Sequence, residues 1–270
     1  MDSRAEVTLP WSKSDFHRIF STGFESSEQK MLSTSIVDQV VRTLRDFLPE
    51  PESRLLWIPG CDSWKRYKES SNWYSMVLKQ FPCAIDSIVS DVMLIIPMWR
   101  SSHYTLAFMS CDVHGQTVFQ HIDSFKSAYE IVRYTRAGVA SEIFEHVISL
   151  IDCIDHIETY TDRTTLGKAT AIKAWAESFQ KPLDIGAVQV LHKGAQVNGY
   201  DCGVIVLTWI AMYVLHPSPD HNVRMNFLPN AEEITKNNIG RRLISQILLD
   251  EMDTIQSTWS SVLGRNSWKI

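Results

Sequence analysis

Hydrophobic residues recur along this chain with two different spacings, and each spacing predicts a different element. Within residues 33–47 they fall at steps of three and four until Pro49 and Pro51, which predicts an amphipathic helix. Val92 to Ile96 is instead a continuous apolar run that stops at Pro97, as in a strand buried on both faces. The chain therefore contains both helix and sheet.

A hairpin is predicted next, from strand-like runs at 103–109 and 116–123 with the turn-forming segment 111–115 between them. In the register centred on that turn, His103 comes directly opposite Asp123. Directly opposed residues share a face of the sheet, with Cβ atoms about 4.5–5.5 Å apart. The hairpin thus predicts an imidazole beside a carboxylate, and a slip of one residue would place them on opposite faces.

The longest apolar run, Val204 to Leu215, has 12 residues and predicts a buried helix or strand, because a bilayer span needs roughly 20. Further along, Asn230 and Glu233 have the spacing of an N-terminal cap for one last amphipathic helix, whose apolar positions are Ile239, Leu243, Ile244, Ile247 and Leu248. The same criteria predict helices near 71–80, within 131–157 and at 168–179, and a strand at 187–191. Without internal repeats, the chain is interpreted as one domain with an N-terminal arm at 1–30 that packs on it.

Composition and charge narrow the classes of protein. Hydrophobic residues make up 44% and charged residues 21% of the chain, as in a folded globular protein. The net charge of −5 argues against a nucleic-acid partner, which favours basic clusters. Five widely spaced cysteines indicate a reducing compartment, and no apolar signal segment opens the sequence. We therefore expect a soluble nuclear or cytoplasmic protein, a monomer with no nucleic-acid or membrane partner.

Cys202 lies where the polar loop 195–201 meets the apolar run, and this position suits a nucleophile. At the start of a helix a thiol faces unpaired backbone N–H groups and the positive end of the helix dipole, which favour the thiolate. Gly203 is expected to leave the approach to the sulfur open, and Gln196 offers an amide donor for an oxyanion. The alternative interpretation is a small, buried and inert thiol.

The histidine and the aspartate of the hairpin complete a thiol acyl-transfer site. In such a site His103 takes the thiol proton and later protonates the leaving amine, while Asp123 holds the imidazole in the useful tautomer. Gln196 and the backbone N–H of Cys202 would stabilise the tetrahedral oxyanion, and each donor is worth about 10²–10³ in rate.

Three strings in the sequence carry a family resemblance, namely I-I-P-M-W-R-S-S-H-Y-T-L-A-F, H-I-D-S-F and Q-V-N-G-Y-D-C-G-V-I-V. With their order of His, Asp, Gln and Cys, they resemble the ubiquitin-like-protein-specific cysteine proteases of the adenain-like clan, which process and deconjugate SUMO and its relative NEDD8. The segment around the cysteine is close to the family pattern Q-x-N-G-x-D-C-G. The resemblance covers roughly residues 92–215, with a looser match over 33–47.

The resemblance implies an α+β fold of the papain-like kind, with a central mixed sheet and a buried helix that begins at the catalytic cysteine. The positions that match the family's catalytic residues are His103, Asp123, Gln196 and Cys202, and those expected to bind substrate are Tyr104, Asn198, Gly199 and Gly203. We expect Asn198 and Asp201 to shape the loop rather than to take part in the chemistry. The implied catalytic domain spans 31–265. The stretch from Asp123 to Cys202 departs from the family by being longer, so we expect a helical insertion near 138–182. The implied reaction is cleavage after the C-terminal Gly-Gly of a modifier, with SUMO as first candidate and with no cofactor or metal.

Two segments depart from the family pattern. Tyr104 stands where the family usually has a tryptophan that covers the channel for the Gly-Gly tail. Residues Met31 to Thr34 replace the motif W-L-N-D at the start of the first helix. Both departures fall at tail-binding positions, so they bear on the identity of the modifier more than on the chemistry.

Several alternatives stay open at this level. If the modifier is not SUMO, it is NEDD8 or ubiquitin. If the chain is not a modifier protease, it is an inactive module that binds a modifier without cutting it, or a viral-type protease that cuts polyproteins. The spacings of Cys111 with His114 and of Cys153 with His156 suit a metal, but neither has the second pair that a zinc site needs. His121 shares the predicted face of Asp123, either as an outer residue of the site or as a buried structural histidine.

Overall fold

The computed structural model describes residues 18–19, 30–48, 56–61, 92–100, 102–111, 117–124, 170, 189–191, 193–216 and 218–249. The elements in chain order are helix α1 (Thr34–Asp46), strands β1 (Leu56–Trp57), β2 (Met93–Arg100), β3 (His103–Cys111), β4 (Thr117–Ile122) and β5 (Gln189–Leu191), and helices α2 (Cys202–Val214), α3 (His221–Phe227), α4 (Ala231–Thr235) and α5 (Ile239–Leu248). Apart from Thr170, four predicted features lie outside the described residues. They are the helices near 71–80, within 131–157 and at 168–179, and the insertion near 138–182.

The strands form one mixed sheet in the order β1-β2-β3-β4-β5. Strands β2, β3 and β4 are antiparallel neighbours, whereas β1 runs parallel to β2 and β5 runs parallel to β4. Helix α2 packs against β3 and β2, and α1 and α5 pack beside it. The fold is therefore α+β, with a mixed sheet and a buried helix, as expected.

Helix α2 is buried on every side because its sequence is apolar on every side. All 13 of its residues are buried, and a helix of this composition is stable only inside a protein. The hydroxyl of Thr208 donates to the carbonyl of Val204 at 2.8 Å, which satisfies a polar group within the helix itself. The apolar run after Cys202 is thus a helix and not a strand, and the cysteine is its first residue.

Strand β2 continues through Pro97, although the apolar pattern predicts that it ends there. Pro97 pairs with Leu106 in the antiparallel ladder with β3. Among the described residues β1 extends only as far as the partner of Leu94, so this part of β2 lies at an edge where a missing N–H is tolerated. The expected burial on both faces is confirmed, because Ile95 and Ile96 point to opposite faces and both are 0% exposed.

The hairpin of β3 and β4 has a register two residues away from the predicted one. Its last described pair joins Cys111 to Thr117, which is one position later on each strand than the pair 110–116 that flanks the predicted turn. Moving this pair by one position on each strand shifts the pairing by two residues, and side chains alternate with a period of two. His103 and Asp123 therefore keep a common face but stand diagonally, a separation that longer side chains can bridge.

The last helical segment consists of α4, a 3-10 turn at Lys236–Asn238 and α5, where the sequence pattern predicts one continuous helix. Glu233 accepts a hydrogen bond from the Asn230 backbone N–H at 3.1 Å, which is the predicted capping contact, but the helix that it starts ends at Thr235. Asn238 then has a left-handed backbone with φ of 56°, a conformation that asparagine tolerates better than most residues. Because of this break, α5 packs in its own direction against α2 and α1.

Gly240 allows α5 to approach α2 closely. A Cβ atom at this position would lie 2.7 Å from Cγ1 of Val204 and 2.6 Å from Cγ2 of Ile234, and β-branched side chains are stiff. We expect Gly240→Ala to lower the free energy of unfolding by about 1–2 kcal/mol, because overpacking costs about 1–3 kcal/mol and alanine regains up to about 1 kcal/mol of helix propensity. Chemical denaturation measures the change.

Gly199→Ala is the matched control, since a Cβ atom there would meet nothing within 4 Å. We expect its unfolding free energy to stay within about 0.5 kcal/mol of wild type. Equal losses for the two variants would contradict the close packing of α5 on α2.

Candidate active site

The hairpin brings His103 and Asp123 into contact. Nε2 of the imidazole lies 2.8 Å from Oδ1 of the carboxylate, and their side chains are 14% and 6% exposed. His103 is the first residue of β3 and Asp123 follows the last residue of β4, so the two lie at the same end of the ladder. A hydrogen bond at this distance orients the imidazole and leaves its other nitrogen for a second partner.

Cys202 is the neighbour of His103 on the helix. It is a free cysteine, 1% exposed, at the first position of α2. Burial alone would lower the pKa of His103, but the interactions of the imidazole with Asp123 and Cys202 outweigh it and raise this pKa to about 9. Such an imidazole is protonated at neutral pH, which is the charge that it has after accepting a thiol proton.

His121, on the same side of β4 as Asp123, is neutral at pH 7, whereas His103 is protonated. Burial lowers the pKa of His121 to about 4; Asp123 raises it and His103 lowers it further. The side chain is 2% exposed, and in the part of the chain that the structure describes its Nε2 has no hydrogen-bond partner. His121 is therefore a neutral, buried neighbour of the His103–Asp123 pair.

The side chain of Gln196 is held at both of its polar ends. Its Oε1 accepts from the hydroxyl of Ser124 at 2.8 Å, and its Nε2 donates to the carbonyl of Asn198 at 2.7 Å. Because a carbonyl oxygen at that distance requires an N–H donor, the orientation of the amide is determined. The second N–H of the amide is not used in these contacts, and its predicted role as an oxyanion donor stays a prediction.

Ser124 was not among the residues selected from the sequence, although it follows Asp123 in the string H-I-D-S-F. It is 0% exposed, and its carbonyl accepts the backbone N–H of Gln196 at 2.7 Å. Ser124 thus binds Gln196 through both its backbone and its side chain. The signal was present in the string, but its meaning depends on a contact between residues 72 positions apart.

Asn198 shapes the loop before Cys202. Its Oδ1 accepts from the backbone N–H groups of Tyr200 and Asp201 at 3.1 and 3.0 Å, and its Nδ2 donates to the Asp201 carboxylate at 2.7 Å. These contacts engage both polar atoms of the Asn198 side chain within the loop. Gly199, between Asn198 and Tyr200, is exposed, and its contact with substrate stays a prediction.

The loop is also attached to helix α4 at its start. Gly194 has a φ of 73°, and a Cβ atom there would lie 2.1 Å from the Glu232 carboxylate, so glycine is required. The backbone N–H of Ala195 donates to Glu232 at 2.8 Å, and the Lys193 carbonyl accepts from Ala231 at 2.7 Å. The loop that carries Gln196 is therefore held by α4 at its start and by Ser124 at Gln196.

The space beside Gly203 is filled, and its predicted effect on the approach to the sulfur stays a prediction. A Cβ atom on Gly203 would lie 3.1 Å from Cδ2 of Tyr104 and 3.3 Å from Cβ of Leu32, so the protein itself fills this space. Tyr104 is 1% exposed, and its hydroxyl donates to the carbonyl of Leu32 at 3.2 Å. Tyr104 thus packs against Gly203 at the start of α2. The contact of Tyr104 and Gly203 with a substrate stays a prediction.

Arg241 of α5 is a second residue that the sequence did not indicate. Its guanidinium lies 2.7 Å from the Asp201 carboxylate, and the side chains are 9% and 8% exposed. The two residues are 40 positions apart, and an arginine inside an amphipathic helix pattern is usually a solvated one. Only the tertiary packing of α5 brings it to the loop.

Neither a metal cluster nor a membrane span is found in the ranges that the structure describes. No group of three or more His, Cys, Asp or Glu side chains in these ranges could hold a metal ion. No helix in them is long and apolar enough to cross a membrane. The spacings of Cys111 with His114 and Cys153 with His156 involve residues outside the described ranges.

Comparisons with known proteins give distant structural matches. A scan against protein-family models and a search of curated proteins gave no match. Xanthomonas campestris effector protein XopD bound to ubiquitin is 14% identical with a TM-score of 0.42, over 82% of this chain and 90% of that one. A de-sumoylating protease is 14% identical with a TM-score of 0.43, over 93% and 83% of the two chains. The SUMO protease Ulp1, with its catalytic cysteine oxidized to a sulfinic acid, is 12% identical with a TM-score of 0.44, over 90% and 88%. We draw no functional conclusion from similarities at this level.

Asp123→Asn tests the origin of the charge on His103. We expect the pKa of His103 to fall well below 9, because the carboxylate then no longer raises it and only Cys202 is left to offset burial. Imidazole chemical shifts measured by NMR across pH 4–10 report the change. His121, with a pKa of about 4, is the internal reference and stays neutral above pH 6 in both proteins. An unchanged His103 titration would contradict the assignment.

The same pair makes stability depend on pH. The folded-state pKa of His103 lies above its ordinary 6.5, so its stabilising contribution is complete below pH 6.5 and is lost as the pH rises through about 9. The difference in unfolding free energy between wild type and Asp123→Asn should therefore shrink over this window. Denaturation at pH 6 and at pH 9.5 measures it, and a difference that grows with pH would contradict the sign.

Proposed function

We propose that this protein is a cysteine protease of the ubiquitin-like-protein-specific family, which it resembles in sequence. The observation that carries the proposal is the hydrogen bond of Asp123 to His103, with Cys202 beside this pair as the first residue of a buried helix and raising the pKa of the imidazole. An orienting carboxylate, an imidazole and a thiol in this order are the parts that nucleophilic acyl transfer needs. Gln196, with its oriented amide, adds an oxyanion donor.

The reaction follows from these positions. His103 accepts the proton of the Cys202 thiol, and the imidazolium stays hydrogen-bonded to Asp123. The thiolate attacks the carbonyl carbon of the scissile bond, and the free N–H of Gln196 with the backbone N–H of Cys202 binds the oxyanion. The imidazolium then protonates the leaving amine as the C–N bond breaks and a thioester forms. Water, deprotonated by His103, hydrolyses the thioester and releases the thiol.

The burial of Cys202 supports a slim substrate segment. The residue is 1% exposed and lies against Gly203, which Tyr104 and Leu32 cover. A bulky side chain beside the scissile bond would clash there, whereas the C-terminal Gly-Gly of a ubiquitin-like modifier would not. SUMO is the first candidate, in precursor processing and in deconjugation, and NEDD8 and ubiquitin are the alternatives.

The same proposal includes the setting in which the enzyme works. A thiol nucleophile needs a reducing compartment, and nuclear or cytoplasmic surroundings supply one. All of the proposed catalytic groups come from one chain, so the enzyme would act as a monomer. No cofactor is required, because the thiol and the imidazole supply both the nucleophile and the proton transfers.

Modifier probes test the activity and the substrate together. Incubation with SUMO, NEDD8 and ubiquitin probes that carry a C-terminal electrophile should label the protein with one of them, because the electrophile stands where the scissile carbonyl would. Cys202→Ala should abolish labelling, and Cys61→Ala, which removes another buried free cysteine, should retain it. Mass spectrometry of the adduct identifies the modified residue.

The outcomes separate the alternatives. Labelling at Cys202 by one probe supports the protease and names its modifier. Binding of a probe without labelling, measured by calorimetry on folded protein, would support an inactive binding module instead. No binding and no labelling by any probe would overturn the proposed function.

Gln196→Ala tests the oxyanion donor. We expect kcat on the substrate that the probes identify to fall by about 10²–10³, with a smaller change in KM, because the amide contacts the oxyanion that forms after binding. Ser124→Ala keeps the amide but removes the hydroxyl that orients it, so the loss should be smaller, roughly tenfold. Steady-state kinetics measures both, and a larger loss in Ser124→Ala would contradict the assigned roles.

A further inference from the structure

Asp201 occupies the N-cap position of α2, yet its side chain makes no capping hydrogen bond. Aspartate is among the residues that cap helices best, because its carboxylate accepts from the N–H groups of the first turn. Here both oxygens are engaged elsewhere, Oδ2 by Asn198 at 2.7 Å and Oδ1 by Arg241 at 2.7 Å. The carboxylate next to the nucleophile is thus turned away from the helix that it would ordinarily cap.

Arg241 is held in place by backbone carbonyls as well as by this carboxylate. Its Nη2 donates to the carbonyl of Lys30 at 2.8 Å, and its Nη1 donates to the carbonyl of Arg18. The residue is 8% exposed, and a buried guanidinium is tolerated only when its donors have partners. The planar fork of arginine suits three acceptors from separate segments, which the point charge of a lysine does not.

Tyr200 adds a second contact between the arm and the loop. Its ring lies 5.9 Å from the guanidinium carbon of Arg241 and 5.2 Å from Nζ of Lys30. Cations at these distances are attracted by the face of an aromatic ring. The N-terminal arm, the loop before Cys202 and helix α5 therefore meet at one buried point, which is the guanidinium of Arg241.

The charge of Asp201 matters because of what forms beside it. If its carboxylate were released, it would accept from the N–H of Gly203 or Val204 in the first turn of α2. A full negative charge would then stand at the helix end, where the thiolate of Cys202 and the oxyanion also carry theirs. Neighbouring negative charges repel one another. The carboxylate would also occupy the positive end of the helix dipole, which otherwise stabilises the thiolate and the oxyanion.

We propose that Arg241 is a positioning residue that holds the Asp201 carboxylate away from the N-terminus of α2 and neutralises its charge beside Cys202. The inference rests on the proposed thiol chemistry. It assigns the N-terminal arm a part in the active site, since the carbonyls of Arg18 and Lys30 orient the guanidinium.

A rescue experiment separates this role from a purely structural one. Arg241→Met should lower kcat on the labelled modifier substrate by about 10²-fold, comparable to the loss of an oxyanion donor, with KM changed by less than about threefold. Arg241→Met combined with Asp201→Ala removes the released carboxylate and should recover about tenfold of that loss. Arg241→Lys retains the charge without the fork and should fall between wild type and Arg241→Met.

Arg224→Met is the matched control, because Arg224 is also a buried arginine that contacts α2. It is 3% exposed and donates to the carbonyl of Tyr213 at 3.3 Å, at the opposite end of the helix from Cys202. We expect this variant to lose stability and to keep kcat. Thermal unfolding of every variant shows whether it is folded at the temperature at which its kcat is measured.

A second measurement is independent of any substrate. The rate at which iodoacetamide alkylates Cys202 at pH 7.5, followed by mass spectrometry of its peptide, should fall about tenfold in Arg241→Met and recover in the double variant. This result would support the role of Arg241 even if no modifier probe reacted, which separates it from the proposed function. Equal alkylation rates in the three proteins, or a double variant as slow as Arg241→Met, would overturn the inference.

Discussion

A helix that is apolar on every side must be buried, and this requirement places the candidate nucleophile. The 13 residues of α2 lie against the sheet with the other helices around them, so its first residue cannot move independently of the core. Cys202 therefore stands where the helix meets the end of the β3–β4 ladder, within reach of His103. The position of the thiol is a consequence of hydrophobic burial before any catalytic contact is considered.

Burying the start of α2 also buries the side chains of Gln196 and Asp201 in the polar loop that leads into it, and these polar groups need partners. Gln196 is held by Ser124 and the Asn198 carbonyl, and Asp201 is held by Asn198 and Arg241. A buried network in which each member has a partner is rigid, and a partly satisfied one is costly. The proposed oxyanion donor is thus oriented before a substrate arrives, which is the condition under which such donors contribute most to rate.

The sequence predicted well wherever a pattern is local. The helix at 33–47, the buried run after Cys202 and the strands of the hairpin follow from spacing alone, because burial imposes a period of 3.6 or 2 on the chain. The hairpin register was wrong by two residues, yet the face shared by His103 and Asp123 was right, since a shift of two preserves the alternation. The break at Asn238 and the continuation of β2 through Pro97 were missed, because both depend on neighbours that the local pattern does not contain.

The sequence by itself determined the elements and the residue types of the site, including a cysteine at a helix start, a histidine and an aspartate on one hairpin, and a glutamine before the cysteine. Tertiary structure decided which of the polar groups meet. The different charge states of His103 and His121, one protonated and the other neutral at pH 7, depend on whether a carboxylate and a thiol offset burial. The contact of Arg241 with Asp201 joins residues 40 positions apart. Electrostatics and hydrogen bonding act over distances in space and not along the chain, so spacing in the sequence cannot specify them.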